Sequence, residues 1–459
     1  TVKLFQEVNN TGSDGTDTIK NFQNLIGSKT QSDNLTGNDE INTIKGLGGN
    51  DTIDGRSEDD FLYGGAGNDT FKVTLGDGND IIDGYESGQT DIDNSSNKDT
   101  VDYSAITENT YHIEVDLTNT TTANSIVTNG TTPDQTDTLA NIENIIATSG
   151  DDILTGNYES NTLEGGAGDD TIDGGAGEDK LYGDSGDDRF EVSDITDLSG
   201  SEIYGGTHTI DTNGNQGSAD AYSEKGDIVD YTNSNQAITL DLLDGGATTN
   251  VKVGNITDHH TIAEIENIYG SDSANDQITG NSSANTILGL GGDDIIDGGL
   301  GDDYLDGGFT DDNNDSVNDE SNTLSFESIT SSAVVVDLSN NSATGAGTDE
   351  IYNFKNITGT DLAASSDELT GDDQDNLIKG LAGNDILEGL EGDDNLQGDE
   401  GNDTFILRFN DGEDTVDGGD GSGDTVDYSN LTTTQNLDIE LDTSTSITAT
   451  VTDDKGTTN

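Results

Sequence analysis

The sequence lacks several residue types on which other proteins depend for stability. It has no cysteine, methionine or tryptophan, and it has a single proline among 459 residues. Without cysteine, disulfide bonds and thiolate metal sites are excluded, and a zinc site would have to use the four scattered histidines. No run of eighteen apolar residues occurs, and no basic start precedes an apolar stretch. We therefore expect no membrane span, and we find no signal peptide in these residues.

Basic residues are also scarce, because 15 lysines and arginines face 95 aspartates and glutamates, which leaves a net charge of -80. Only 28% of the residues are apolar. This combination is typical of disordered chains unless another force supplies the folding energy. Such a surface would repel nucleic acids and anionic membranes. Cations are the expected partners, and hard oxygen atoms are the ligands that this sequence can offer them.

Apolar residues recur every nine positions in four blocks, each time close to a cluster of glycine and aspartate. A fixed period of this kind indicates a repeat architecture. The four series are Ile26, Leu35, Ile44, Ile53, Leu62 and Phe71; Ile145, Leu154, Leu163, Ile172, Leu181 and Phe190; Tyr269, Ile278, Ile287, Ile296 and Leu305; and Leu369, Ile378, Leu387, Leu396 and Phe405.

A second series lies two positions before the first and keeps the order D-N-D-D-D in every block. A merely solvated acidic surface, such as that of a salt-loving organism, would scatter its aspartates. The order therefore favours a specific role for these side chains. The series are Asp33, Asn42, Asp51, Asp60 and Asp69; Asp152, Asn161, Asp170, Asp179 and Asp188; Asp276, Asn285, Asp294, Asp303 and Asp312; and Asp367, Asn376, Asp385, Asp394 and Asp403.

Linkers of a different composition separate the blocks, and their sequences also repeat. They open with VDYS or VDYT (101, 229 and 426), and they close with DTLANIENI (137), HTIAEIENI (260) or DEIYNFKNI (349). Alternation over Tyr111–Leu117 predicts a half-buried strand. The linker aromatics Tyr103, Tyr231, Tyr428 and Phe326 occupy equivalent positions, and we interpret them as linker core.

A period of nine fits a short strand followed by a six-residue turn, with two such halves forming one coil of a flattened parallel roll. The inward apolar residue would stack on its equivalent eighteen residues later. A core one side chain wide cannot offset a backbone entropy of about 1–2 kcal/mol per residue. Stacked turns would bring carboxylates and glycine carbonyls of adjacent coils together, and calcium prefers six to eight oxygen ligands. We therefore expect calcium to supply the missing stability.

GLGGNDTID (46–54), GGAGDDTID (165–173), GGLGDDYLD (298–306) and GLAGNDILE (380–388) resemble the G-G-x-G-x-D-x-U-x nonapeptide of the repeats-in-toxin (RTX) family. The resemblance implies an all-β fold. Four calcium-bound parallel β-roll (right-handed β-helix) blocks would alternate with β-rich linkers in an elongated solenoid-like array. We interpret the turns at Asn42, Asn161, Asn285 and Asn376 as capping turns of the rolls.

The resemblance also implies the metal ligands, on the order of ten calcium ions in all. The carboxylate ligands would be Asp33, Asp51, Asp60, Asp69, Asp152, Asp170, Asp179, Asp188, Asp276, Asp294, Asp303, Asp367, Asp385, Asp394 and Asp403, and the carbonyl ligands Gly46, Gly48, Gly64, Gly165, Gly174, Gly298 and Gly380. The turns at 76–83 and 410–417 continue the pattern out of frame and add Asp80 and Asp414.

The expected organisation alternates blocks and linkers along the chain. The predicted segments are the end of a linker strand at 1–24; β-roll blocks at 25–85, 144–205, 267–314 and 358–420; β linkers at 86–143, 206–266 and 315–357; and open linker strands at 421–459.

Two acidic stretches and a histidine pair do not follow the regular nine-residue repeat. FTDDNNDSVNDES (309–321) has alternating Asp311, Asn313 and Asp315 but lacks the glycine of an EF-hand loop, so we interpret it, like DIDNSSNKD (91–99), as a solvated loop. His112 and His208 also lie in linkers. For His259-His260 a metal pair is one hypothesis, and a polar loop is the preferred one.

No H-E-x-x-H, G-x-S-x-G or P-loop motif is present, so we expect no enzyme. The preferred hypothesis is an extracellular structural protein, such as a surface layer, a filament or an adhesin extender, whose rolls stiffen on calcium. The alternative is the calcium-binding region of a secreted enzyme or toxin whose catalytic domain lies elsewhere. A glycan- or ice-binding module would need an exposed aromatic or threonine array.

The ends and the missing methionine lead us to expect either a window from a longer array or a subunit that pairs head to tail with its neighbours. The resemblance implies type I secretion, and therefore a location outside the cell or on the surface of a Gram-negative bacterium.

Overall fold

In the computed structural model, the described residues are 2–3, 21–85, 97–118, 123–129, 133–192, 200–207, 226–308, 320–409, 411–431, 435–438 and 450–453. They form strands, turns and two short 3-10 helices, Asp244–Gly246 and Leu338–Asn340, and contain no α-helix. They divide into two units, one of Thr1–Asn233 with Gly245–Ile265 and one of Ser234–Asp244 with Glu266–Asn459. The prediction of an all-β parallel roll is confirmed.

Most strands are three residues long, with a buried apolar residue between two outward side chains, as in Thr52–Asp54. The turn that follows sends the chain to the opposite sheet, so consecutive strands alternate between two parallel sheets. Each strand therefore pairs with the strand one coil later, and within a block most partners lie eighteen residues apart, as Leu35 and Ile53 do.

The first unit contains two such sheets. The first has, in pairing order, Val2–Lys3, Asn34–Thr36, Thr52–Asp54, Thr70–Lys72, Thr100–Asp102, Asn144–Ile146, Thr162–Ala167, Lys180–Ser185, Glu202–Gly206, Ile256–Ala263 and Thr249–Val253. The second has Asn24–Ile26, Thr43–Gly48, Phe61–Ala66, Ile81–Asp83, Pro133–Ala140, Ala123–Thr128, His112–Asp116, Ile153–Asn157, Thr171–Gly175, Arg189–Glu191 and Ile228–Asp230.

The second unit repeats this plan. Its first sheet has Ile238–Asp241, Gln277–Thr279, Ile295–Asp297, Thr323–Ser325, Asn356–Thr358, Leu377–Lys379, Asn395–Gln397 and Thr415–Asp417. Its second has Asn267–Tyr269, Thr286–Leu288, Tyr304–Asp306, Thr348–Tyr352, Ser342–Thr344, Val335–Asp337, Glu368–Thr370, Ile386–Glu388, Thr404–Ile406 and Thr425–Asp427. Two further pairs join Ala382–Gly383 to Glu400–Gly401 and Gln435–Asp438 to Thr450–Asp453.

The linkers belong to the same sheets as the blocks. In the first unit, Thr100–Asp102 pairs with the coil before it and the coil after it. The linker at 97–143 then adds a three-stranded antiparallel meander in reversed order. Its last strand, Pro133–Ala140, pairs with Ile81–Asp83 of the preceding block, and its first, His112–Asp116, pairs with Ile153–Asn157 of the next. The sheet therefore continues through the linker.

The buried apolar residues form columns, as the nine-residue spacing predicts. One runs through Leu35, Ile53 and Phe71 and continues through Val101 of the linker to Ile145, and all five are at most 1% exposed. The strand prediction for Tyr111–Leu117 is confirmed, because His112–Asp116 is a strand with alternating burial.

The prediction of the inward-facing apolar residue is wrong at two positions. Ile26 is 64% exposed, and Leu25 takes the inward position by pairing with Ile44. In the third block, Ile268 rather than Tyr269 pairs with Ile287. In both blocks the first turn is one residue longer than the others, which moves the inward residue back by one.

The linker aromatics Tyr103, Tyr231 and Phe326 are buried, as predicted, whereas Tyr428 is only partly buried. The polar-loop interpretation of His259-His260 is wrong, because both residues lie in the strand Ile256–Ala263 and are 1% exposed. The Tyr231 hydroxyl lies 2.7 Å from His260 Nε2, and burial lowers the pKa of His260 to about 3. The pair is part of the linker core.

Candidate functional site

The side chains of the acidic frame connect neighbouring coils. Each described aspartate of the D-N-D-D-D series, called an inner aspartate below, stands directly before a strand. In most of them, Oδ1 accepts a hydrogen bond from the backbone N–H of the equivalent residue one coil earlier. The Asp152 N–H donates to Asp170 Oδ1 (2.7 Å), and the Asp170 N–H donates to Asp188 Oδ1 (2.9 Å). The same bond recurs from Asp51 to Asp69 and from Asp385 to Asp403. The frame is therefore a ladder of carboxylates along the edge of the roll.

The second carboxylate oxygen of many of these residues is buried and has no hydrogen-bond partner within the part of the chain that the structure describes. An unsatisfied buried oxygen costs roughly 1–3 kcal/mol, and more when it is charged, so native proteins rarely leave one. The eleven inner aspartates with such an Oδ2 are Asp51, Asp60, Asp69, Asp170, Asp179, Asp188, Asp294, Asp303, Asp385, Asp394 and Asp403.

Several of these Oδ2 atoms converge with a backbone carbonyl oxygen on one position. A methyl group built on Gly46 would lie 2.1 Å from Asp51 Oδ2 and 2.6 Å from the carbonyl oxygen of Gly64, one coil later. The same cradle occurs at Gly183, where Asp188 Oδ2 and the Gly205 carbonyl converge at 2.2 and 2.6 Å. Glycine is required five residues before the aspartate because any side chain would occupy the position of the carboxylate oxygen.

The electrostatics of this row oppose charged carboxylates. Burial, and then the nearby carboxylates of Asp152 and Asp188, raise the pKa of Asp170 to about 9. Burial likewise raises the pKa of Asp294 to about 8 and that of Asp60 to about 7. Such carboxylates keep their charge near neutral pH only when a cation compensates it. The donor set of carboxylate and carbonyl oxygens is the one that calcium prefers.

Backbone oxygens are essential to such a site. Among the described residues, no three aspartate, glutamate or histidine side chains come together to hold a metal by themselves. A cation bound at the ladder would therefore need the glycine carbonyls as well as the carboxylates, and the residues present fit that requirement.

The remaining predicted carboxylates fall into two groups. Asp80 and Asp414 continue the ladder, since they accept the N–H groups of Asp60 (2.8 Å) and Asp394 (3.1 Å). In the other group, each Oδ2 accepts a backbone N–H close before it in the chain. This group comprises Asp33, Asp152, Asp276 and Asp367.

The predicted glycines also have different surroundings. The Gly64 carbonyl faces Asp51, whereas those of Gly46 and Gly380 face Asp33 and Asp367. The Gly174 and Gly298 carbonyls lie beside the side-chain oxygens of Asn161 and Asn285. Gly165 makes room for Asp170 Oδ2, and a methyl group on Gly48 would lie 2.7 Å from the Lys29 carbonyl.

Sequence reasoning missed the part of the ladder that lies in the linkers. The Asp69 N–H donates to Asp99 Oδ1 (2.7 Å), and the Asp80 N–H donates to Asp137 Oδ1 (2.9 Å). Asp227 and Asp349 take the same role. Each of these carboxylates stands two residues before a buried apolar residue, so the spacing rule of the blocks, applied to the VDY and closing motifs, would have found them.

A second, outer ladder was also missed. The Asp169 N–H donates to Asp151 Oδ1 (3.0 Å), and the Asp187 N–H donates to Asp169 Oδ1 (2.9 Å), both on the exposed side. These bonds run from the later coil to the earlier one, opposite to those of the inner aspartates. The outer ladder explains why an aspartate or asparagine so often precedes the inner aspartate.

Some candidates lie outside the described residues. They are Asp312 of the frame, the triad Asp311, Asn313 and Asp315, His208, and residues 91–96. Within the described part of the chain, no helix is both long and apolar enough to cross a membrane.

In a comparison with known families, the model of the RTX calcium-binding nonapeptide repeat matches the chain four times, at residues 36–71, 155–190, 269–313 and 367–405. Each match lies on one of the ladders described above, so the resemblance drawn from the sequence is confirmed. Repeats of this family bind calcium and are typical of secreted proteins. A comparison with curated proteins gives no match.

Proposed function

Since the chain is an RTX repeat protein with four blocks of the calcium-binding nonapeptide, we propose that it is a secreted structural protein that folds and stiffens on binding calcium outside the cell. A surface layer, a filament or an adhesin extender would use such a chain. The observation that supports this proposal is the row of eleven buried aspartate oxygens without a hydrogen-bond partner among the described residues.

The cations would be held by these aspartates together with the glycine carbonyls that face them, such as Gly64, Gly205 and Gly418. A divalent cation there would supply positive charge to two successive coils at once. It would replace the repulsion between buried carboxylates with attraction. The stacked turns would then hold together although the apolar core is only one residue wide.

The expected energies favour a chain that is unfolded inside the cell and folded outside it. With a dissociation constant of ~0.1 mM, as extracellular modules can have, ~1 mM calcium stabilises the fold by roughly 1.4 kcal/mol per site. At ~0.1 µM calcium, typical of a cytosol, the same sites contribute almost nothing. An unfolded chain inside the cell suits export through the narrow channel of a type I secretion system.

We assign the chain no catalytic role. The repeats account for the paired carboxylates, and the buried His259 and His260 lie in the linker core beside Tyr231. We also propose that the modules associate head to tail or continue into a longer array, because each coil pairs only with its neighbours along one direction. In sedimentation experiments, calcium should produce multiples of the monomer mass without a limiting dimer.

The proposal is tested by circular dichroism of the full chain during a calcium titration. We expect little β-sheet signal in chelator and a cooperative gain in the millimolar range. Magnesium is the control, because it demands a small octahedral site and retains its waters, and it should not replace calcium. A β-sheet signal already complete in chelator would overturn the proposal.

A further inference from the structure

The turns of each block fall into two classes that differ in backbone conformation. In one class, the residue four positions before the inner aspartate has a positive φ. Four of these residues are leucines, Leu47 (φ 76°), Leu290 (φ 72°), Leu381 (φ 69°) and Leu390 (φ 76°), although side chains other than glycine seldom adopt this region. The remaining members are Arg56, Gly65, Gly166, Gly175, Asp184, Gly299 and Asp399.

These eleven turns are the ones whose inner aspartate has an unpartnered Oδ2 among the described residues. Within the described residues of the D-N-D-D-D series, the correspondence holds in all four blocks. With a left-handed residue at this position, the N–H of the turn points away from the carboxylate; that of Gly65, for example, donates to the Gly84 carbonyl one coil later (2.9 Å). The oxygen is then left for a ligand from outside the chain.

The second class comprises the first two turns of every block, which carry the first D and the N of the D-N-D-D-D series. None of the eight residues four positions before these side chains has a positive φ, and the structure describes all eight. They are Lys29, Asn38, Thr148, Asn157, Asp272, Asn281, Ala363 and Asp372.

In this second class, N–H groups of the turn donate hydrogen bonds to the side-chain oxygen of the inner residue. At the aspartate turns, the N–H groups of Thr148 and Thr360 donate to Asp152 Oδ2 (2.7 Å) and Asp367 Oδ2 (2.8 Å). Ser271 and Ser28 do the same for Asp276 and Asp33. Each of these donors is a serine or threonine four residues after the asparagine of an N-[IL]-x-[GA]-[ST] motif.

Three of the four asparagine turns are closed on both sides. The Asn157 N–H donates to Asn161 Oδ1 (2.8 Å), and Asn161 Nδ2 donates to the Glu143 carbonyl one coil earlier (2.7 Å). The same pair of bonds is made by Asn285 and Asn376. An amide is needed here because a carboxylate cannot donate to that carbonyl.

We propose that the first two turns of every block form a cap that binds no cation, and that calcium binds only at turns that follow them. This inference rests on the proposed function, and it excludes Asp33, Asp152, Asp276 and Asp367 from the calcium ligands. Each block would thus begin with coils that the chain closes by itself, and on these the calcium-dependent coils stack.

The test compares substitutions of similar size in the two classes, made in the full chain and examined by native mass spectrometry in calcium. Asp170→Asn keeps an oxygen to accept the Asp152 N–H but places an amide at the cation position, and it should lose at least one bound calcium. Asn161→Asp should bind as many ions as the wild type and should unfold at lower temperature, because the bond to Glu143 is lost. Asp152→Asn should also leave the ion count unchanged.

A matched set in the second unit, Asn285→Asp and Asp294→Asn, keeps the comparison decisive if one variant of the first unit fails to fold. A gain of one calcium in Asn161→Asp or Asn285→Asp would overturn the inference, as would a loss in Asp152→Asn equal to that in Asp170→Asn. These results differ from failure of the proposed function itself, in which the wild-type chain binds no calcium.

Discussion

The block at 144–192 and the linker at 97–143 lie in the same sheets but satisfy their buried polar groups in different ways. In the linker, Asp137 accepts the Asp80 N–H with one oxygen (2.9 Å) and Gln135 Nε2 with the other (3.2 Å), and the Tyr103 hydroxyl donates to Ser125 Oγ (2.6 Å). In the block, Asp170 Oδ2 is buried without a partner among the described residues. In the linker, hydrogen bonds within the chain satisfy these buried polar groups. In the block, Asp170 Oδ2 is left for the proposed cation.

Removal of calcium should therefore affect the two regions differently, and this is the largest effect that we expect. In chelator, the block amides at 162–190 should exchange hydrogen for deuterium at nearly the rate of an unfolded chain. The antiparallel strands His112–Asp116, Ala123–Thr128 and Pro133–Ala140 should keep part of their protection. Mass spectrometry of peptides after exchange measures both. Equal loss in the two regions would contradict the comparison.

Acid should partly replace calcium in the blocks. The pKa of Asp170 is raised from 3.8 to about 9, and that of Asp294 to about 8, mainly by burial. A raised pKa in the folded state means that the stabilising contribution is complete below pH ~4 and is lost as the pH rises through those folded values. In chelator, β-sheet signal should therefore increase when the pH is lowered from 8 to 5, whereas calcium-loaded protein should change little. A chelated chain indifferent to pH would show that these carboxylates do not oppose folding.

Core substitutions separate packing from ion binding. Ile172 in the block and Leu139 in the linker are both fully buried, and replacement of either by alanine should cost about 2–5 kcal/mol in saturating calcium. Urea unfolding measures this loss. Only Ile172→Ala should also raise the calcium concentration at the folding midpoint, because it loosens turns that carry ligands. An equal shift in Leu139→Ala would mean that calcium stabilises linker and block alike.

The smallest effect is expected from the linker tyrosines. Tyr103→Phe removes the hydroxyl bonded to Ser125, and Tyr231→Phe removes the one beside His260. Each should cost about 1 kcal/mol, because Phe326 already occupies the equivalent position in another linker. Urea unfolding in saturating calcium measures the loss. Neither variant should change the number of bound ions, and a changed number would indicate that the linker hydroxyls support the ladder.

The repeated parts of the fold were predictable because they depend on local spacing. A strand and a turn of fixed length place Leu154, Leu163 and Ile172 inside, and the same spacing places Asp170 and Asp188 on one edge. The prediction failed where a turn changed length. Leu25 and Ile26 are both apolar, and only the longer turn decides which of them faces inward.

Other features depend on distant parts of the chain and could not be predicted from spacing. The pairing of Leu139 with Ile82 joins the last strand of the meander to the block before it, and nothing near either residue specifies it. The division of the acidic frame into two classes depends on the sign of φ at residues such as Leu47 and Leu290, where sequence favours no left-handed conformation. The burial of His259 and His260 likewise depends on a neighbouring strand.

The reversed order of the meander has a mechanical consequence. A chain pulled from one end of a roll sheds its coils singly, and each releases about 60 Å of extended chain. At the linker, tension reaches His112–Asp116 while that strand still lies between Ala123–Thr128 and Ile153–Asn157, so the strand must slide out from between two neighbours. We expect the extension of this protein under load to pause there, which single-molecule pulling would detect as a force peak at this meander.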